Sequence, residues 1–339
     1  MKYQLLEDFL KADLSIIQEA QLIFNDSFIN DQKAAFLGVK LQYCKDLEKL
    51  SINLNGNNFG SYGISHIATG IGKCINVNIS GFSLIQINKC FISWKKFCVM
   101  YKFGISLYQP RKQFNDFNDR SNQIGDIGAH NIVKNLNRCK YLQSVELYLA
   151  INQIGDKGAS QFGEELGKCE NIKKLNLSLS GNNIYEEGAS ELAKGLAKIK
   201  SLNYFKPDFY GNIINEKGGY DLGVSLKTIT NLQILHLNLS SNQIKSRGAS
   251  GLGQGIQNCQ HLTDLRLYLD SYEIGQKGVA DLIKGIELSR NIKNIILDLK
   301  NSITVQDQLK SQQTLNCLKQ SLMKSKRLVL YKIKNKNFI

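Results

Sequence analysis

The sequence predicts an α/β solenoid built from repeated strand–turn–helix coils. Three observations carry this reading. From residue 121 the chain repeats every 30 residues without insertion or deletion, one half of each unit alternates apolar and polar residues, and the other half carries apolar residues at helical spacing. The units open with SNQIGDIGA at 121, INQIGDKGA at 151, GNNIYEEGA at 181, GNIINEKGG at 211, SNQIKSRGA at 241 and SYEIGQKGV at 271.

The alternating half reads x-L-x-x-L-x-L-x-L. One unit supplies Leu142, Val145, Leu147 and Leu149, and another Leu262, Leu265, Leu267 and Leu269. This period of two marks a short strand with one face buried. The helical half is marked by Ala159, Phe162 and Leu166, by Ala189, Leu192 and Leu196, and by Ala249, Leu252 and Ile256. Glycine at 128, 158, 188, 218, 248 and 278 precedes each apolar run, which predicts a tight backbone that a side chain would obstruct. A single unit cannot bury its own apolar side, whereas stacked neighbours can.

These motifs resemble the leucine-rich repeat family, specifically its long-repeat, ribonuclease-inhibitor-like class. The likeness rests on L-x-x-L-x-L, then Asn, an apolar residue, and Gly-Ala opening a helix. It covers 121–300 strongly and 46–74, where DLEKLSINLNGNNFGSYGISHIATGIGKC keeps the same order. The extra L-x-L step before the Asn is similar to lengthened repeats in large ciliate families with a 30-residue unit. The resemblance implies a horseshoe with a parallel sheet on its concave side and helices on its convex side. It also implies that Asn122, Asn152, Asn182, Asn212 and Asn242 form a ladder bonding the backbone of adjacent coils, ending near Tyr272. Stacked turns supply the partners a buried amide needs.

The cysteines follow the same period. Cys44 and Cys74 are 30 apart, as are Cys139 and Cys169, with Cys259 three periods further; Ile199, Ile229 and Ser289 fill the same slot elsewhere. Exchange with isoleucine predicts buried thiols rather than a disulfide framework.

The period fails once. Cys74 and Cys139 are separated by 65 residues, and 75–120 fits neither register. A decayed repeat, a projecting insertion and a translated intron all remain open readings. The expected organisation is an N-terminal helical cap and first coil at 1–45, a repeat at 46–74, the degenerate stretch at 75–120, six repeats at 121–300 and a basic C-terminal cap at 301–339.

The 339 residues, 42% hydrophobic and 21% charged, exclude wholesale disorder. No run of apolar residues is long enough to predict a transmembrane helix, and Cys-x-x-Cys is absent, so a soluble, cytoplasmic protein with reduced thiols is expected. The net charge of +14 is uneven: 301–339 holds eight Lys/Arg against Asp307, and 75–120 holds seven against two acids. Lys324, Lys326, Arg327, Lys332, Lys334 and Lys336 make nucleic acid or an anionic membrane a secondary possibility for 324–339, which is not favoured over a solvated cap.

The sequence singles out no catalytic residue. His66, His130, His236 and His261 lack metal-ligand spacing, no phosphate loop is present, and the kinase motifs are missing, so no metal or cofactor is expected. What varies is the set of residues between the buried leucines on the expected concave face: Glu146, Tyr148, Asn176, Lys206, Asp208, His236, Asn238, Arg266, Tyr268, Asp270 and Asp298, with Ser178 and Lys300 beside them. Non-repeating polar and aromatic residues on a repeating scaffold predict recognition of a protein partner. A regulator like the Ran GTPase activator, which the repeat class also resembles, is the enzymatic alternative. Against it, that family carries an acidic tail where this chain is basic.

Overall fold

The computed structural model describes residues 1–14, 17–74, 77–83, 122–139, 141–270, 274–299 and 330–334. Their strands are β1 (Lys2–Tyr3), β2 (Glu19–Ile23), β3 (Lys49–Asn53), β4 (Asn78–Ser83), β5 (Ser144–Tyr148), β6 (Lys174–Ser178), β7 (Tyr204–Asp208), β8 (Ile234–Asn238), β9 (Asp264–Tyr268), β10 (Asn294–Asp298) and β11 (Leu330–Lys334). The helices are α1 (Leu6–Lys11), α2 (Asp31–Leu41), α3 (Ser61–Ile71), α4 (Gly125–Leu136), α5 (Asp156–Leu166), α6 (Glu186–Leu196), α7 (Glu216–Ser225), α8 (Lys245–Ile256) and α9 (Gly275–Leu288).

These strands form one parallel sheet in sequence order, each paired with the strands of the coils before and after it. A parallel neighbour requires a crossover, and from β1 to β10 one helix per coil provides it. The fold is therefore the α/β repeat solenoid that the period predicts. Strands pair about 4.8 Å apart whereas helices pack at about 8–10 Å, so stacked coils bend with the sheet inside. Glycine lets the helices approach closely: a Cβ on Gly195 of α6 would sit 1.9 Å from the Gly163 carbonyl oxygen of α5. The recurrent glycine in each first helical turn follows the same logic. A Cβ at Gly188 would lie 2.7 Å from the Asp156 Cα of the preceding coil.

Each coil adds one layer to a continuous core. In one layer Leu232, Leu235, Leu237 and Leu239 come from the strand side and Ile244, Ala249, Leu252 and Ile256 from the helix side, all buried. Cys44, Cys74, Cys139, Cys169 and Cys259 are buried and unbridged. The Cys259 thiol points at the Leu226 and Gly255 carbonyl oxygens, at 3.6 and 3.5 Å.

Asn57, Asn182, Asn212 and Asn242 bind coil to coil. Asn182 Oδ1 accepts from the Asn152 and Ile154 amides at 2.9 and 3.0 Å, and its Nδ2 donates to the Leu149 and Leu179 carbonyls at 3.0 and 2.9 Å. Asn212 and Asn242 repeat the pattern, and Asn57 makes it in the N-terminal coils. The expected end of the ladder at Tyr272 lies outside the described residues. A second ladder runs along the helix starts. Asp156 Oδ1 accepts from the Tyr185 and Gly188 amides at 2.8 and 2.9 Å, so a side chain of one coil caps the helix of the next.

Two features differ from the sequence reading. Residues 1–45 hold strands β1 and β2 as well as helices, with Ala20 and Leu22 registered on Leu50 and Ile52. Ala20 in a leucine slot and Ser27 in the asparagine slot hid the strand of this first coil. Secondly, the stretch from 75 begins with a sheet strand. β4 pairs with β3 and with β5, and its register slips between Leu50 and Ser51, skipping Ser80. That one-residue bulge moves the following residues out of phase. Strands β3, β4 and β5 are consecutive in the sheet, and α3 packs against α4. The remainder of the degenerate stretch and residues 300–329 of the C-terminal region lie outside the described residues.

Candidate protein-binding face

Parallel register places equivalent strand positions side by side. The third position of β5 to β10 gives the row Glu146, Asn176, Lys206, His236, Arg266, Ile296. The fifth gives Tyr148, Ser178, Asp208, Asn238, Tyr268, Asp298. The first gives Ser144, Lys174, Tyr204, Ile234, Asp264, Asn294. The second and fourth positions point into the core, so these three rows make up the opposite face.

The face has two electrically different halves. At β5 and β6, Tyr148 Oη donates to Glu146 Oε2 at 3.2 Å and accepts from Asn176 Nδ2 at 2.6 Å. Burial, reinforced by the Glu146 charge, pushes the Tyr148 phenol up to about 12, so it stays a neutral donor. From β7 to β9, Lys206, His236 and Arg266 stand on adjacent strands. Lys206 Nζ lies 4.8 Å from the Tyr204 ring centre, a cation–π contact. His236 Nε2 is 2.8 Å from Asp264 Oδ1, while Arg266 reaches the same carboxylate with Nε at 3.2 Å and its terminal nitrogen at 3.4 Å.

Asp264 therefore orients two cationic-capable side chains at once. Burial alone would raise its pKa, but the hydrogen bonds and charges of His236 and Arg266 outweigh that and hold it below the ordinary carboxylate range. His236 is displaced downward, first by desolvation and then by Arg266 and Lys206, against the opposing pull of Asp264. Asp208 is pushed up by burial, although the Tyr210 amide donates to it at 3.1 Å.

The predicted face residues are thus brought together, with different degrees of access. Asp298 is 6% exposed and offers little surface. Asp270 lies past the end of β9, where its amide donates to Ser240 Oγ and its carbonyl accepts from the Ser241 amide. Lys300 lies outside the described residues. Tyr204 and Asp264 were missed because the sequence reading began between the leucines. The residue just before the first strand leucine faces the same way, and the same alternation carried back one step finds both.

His236 and Asp264 form a hydrogen-bonded pair of the kind a general base uses. Among the described residues, however, no serine or cysteine is bonded to His236, and no group of three His, Cys, Asp or Glu is placed to hold a metal. The arrangement presents fixed charge and hydrogen-bonding groups on an open sheet. No helix among the described residues is long and apolar enough to cross a membrane.

A family model agrees with the repeat architecture. Residues 230–253, which span β8 and most of α8, match the Leucine Rich repeat family model. No curated protein matches the chain. Among solved structures, the chain is similar to the leiomodin-1 actin-binding site 2, at 14% identity and a TM-score of 0.35, over 59% of this chain and 91% of that one. It is also similar to a chain of the yeast Rad7–Elc1 complex, at 13% identity and a TM-score of 0.37, over 98% of this chain and 81% of that one.

Proposed function

We propose that this protein is a non-enzymatic, cytoplasmic binding scaffold of the ribonuclease-inhibitor-like repeat class. In this reading its concave sheet face, from Glu146 to Asp298, receives a protein partner. The observation that carries the reading is the contrast between constant core and varied face. Leu175, Phe205, Leu235 and Leu265 repeat one buried role, while Asn176, Lys206, His236 and Arg266 beside them differ in every coil. Variation at equivalent positions is what a surface shaped for one partner requires, because stacking alone is satisfied by any polar residue there.

The mechanism is preorganisation. Asp264 fixes Arg266 and His236, and Tyr204 underlies Lys206, so these side chains lose little rotamer freedom on binding. From β7 to β9, Lys206 and the Asp264-held Arg266 suit carboxylates of the partner, beside the face's own Asp208, and the Tyr148–Glu146–Asn176 half suits a hydrogen-bonding segment. Affinity capture with the intact protein, with Lys206→Glu/Arg266→Glu and with the helix-face control Lys157→Glu tests this. The sheet-face variant should lose a partner that the control keeps. Capture of the same partners by all three would contradict the reading.

A further inference from the structure

The helix face of the first coils carries a feature that stacking does not require. On α2 and the turn after it, Phe36, Val39 and Tyr43 fall at i, i+3 and i+7 and stand outward, 64%, 46% and 63% exposed. Tyr62 on α3 and Ile127 on α4 are also exposed, by 61% and 62%. The solenoid supplies its own comparison. The positions of Phe36, Val39 and Tyr43 are held by Gln161, Glu164 and Lys168 on the coil of α5, and by Glu191, Lys194 and Lys198 on that of α6. The fold thus accepts polar residues at these places, and the apolar set marks a contact surface.

The charge of this region identifies what it meets. Helices α2 to α4 and the turns closing them carry Lys33, Lys40, Lys45, Lys73, Lys134 and Arg138 against Asp31, Asp46, Glu48 and Asp126. Asp31 and Asp126 are turned inward. Asp31 Oδ1 accepts from the Gly60 and Gly63 amides at 3.0 and 2.8 Å, and Asp126 Oδ1 from the Gly155 amide at 2.7 Å. Glu7 and Asp8 lie on the short α1 on the other side of α2, so the basic ground runs from α2 toward α4. The helices of α5 and α6 are instead mixed, with Asp156, Glu164, Glu165, Glu186, Glu187 and Glu191 among their lysines.

We infer that this face rests on an anionic lipid surface, with Phe36, Val39, Tyr43 and Tyr62 entering the headgroup boundary and the lysines meeting the phosphates. Aromatic side chains with flanking lysines on an amphipathic helix are the chemistry of interfacial binding. The geometry favours a membrane over a partner helix. A helix is received in a groove with walls on both sides, whereas these side chains stand out from the outer side of a convex stack. The contact leaves the sheet face free and does not depend on its having a partner.

The test is co-sedimentation of the full-length protein with vesicles of phosphatidylcholine alone and of phosphatidylcholine mixed with phosphatidylserine. Binding should appear on the mixed vesicles and weaken with salt, since the lysine contribution is screened. Phe36→Glu/Tyr43→Glu, with an unchanged circular dichroism spectrum, should reduce vesicle partitioning about tenfold or more. Ile127→Glu provides a second, independently placed substitution expected to act in the same direction. Four results would overturn the proposal: no vesicle binding by the intact protein, equal binding by the variants, loss of binding only on removal of 324–339, or self-association that the same substitutions abolish without any vesicle binding.

Discussion

Ile151 occupies a left-handed backbone position that glycine fills in the next two coils and Ser241 in the one after. Its φ is +55°, and the equivalent Gly181 and Gly211 have φ of +64°. A β-branched residue in the left-handed region is strained, and its side chain is half-buried. Ile151→Gly should therefore raise stability by about 1 kcal/mol in urea unfolding, relief of strain outweighing the lost packing. Leu235 is the opposite case. It is completely buried between sheet and helices, so Leu235→Ala should lower stability by about 2–5 kcal/mol. The thiols give a pH signature. Burial pushes Cys74, Cys139, Cys169 and Cys259 up to about 12 and Cys44 to about 11. A folded thiol then keeps its proton where an unfolded one, near about 8.5, has lost it. The unfolded chain binds fewer protons in that window, so stability should fall as the pH rises from about 8.5 to about 12. Native thiols should also alkylate far more slowly than denatured ones, measured by mass after timed labelling. The sequence exposed the buried cysteines because they exchange with isoleucine at one slot. It hid the strain at Ile151, because residue identity alone gives no φ.

At the scale of elements, β7 is the strand whose composition argues against it. Pro207 fills the slot of a buried leucine and has no amide proton, so Lys206 and Pro207 drop out of the pairing with β8 while Tyr204, Phe205 and Asp208 remain. The neighbouring ladder to β6 is complete, and that is enough to hold the strand. Pro207→Leu should restore the β8 pairing and raise stability by about 1 kcal/mol, visible as a higher urea midpoint. Helix starts depend on the coil before them. Asp156→Ala removes the acceptor for two amides of α6 and should destabilise by about 1 kcal/mol, more than the loss of an exposed surface charge. Strand and helix types were legible from their periods because each coil has one dry and one wet side. The strand in 75–83 was not legible, since a single skipped residue inverts the alternation that identifies it. The sheet-face set was legible for the same reason as the strands. The His236–Asp264 side of the bridge was not, because a cross-strand partner follows from register and not from sequence spacing.

The whole molecule stands or falls on coil stacking. Unfolding should spread through neighbour contacts, so the strength of each interface sets the stability of the array. Removing all of 75–120 would take out β4, which lies inside it and joins β3 to β5. In the regular coils the motif asparagine follows the last strand residue by four, as Asn57 follows Asn53 and Asn152 follows Tyr148, whereas Asn122 follows Ser83 by 39. We propose that 84–118 is an insertion within one coil and that its removal restores the regular connection. The direct measurement is equilibrium urea unfolding of the intact protein and of the chain lacking 84–118, followed by circular dichroism and by the Trp-independent thiol-labelling signal. A continuous solenoid predicts one cooperative transition for the shortened chain, with a midpoint equal to or above that of the intact protein. A shortened chain that unfolds in two separated transitions, or that loses its folded spectrum, would contradict direct stacking of the coils on either side.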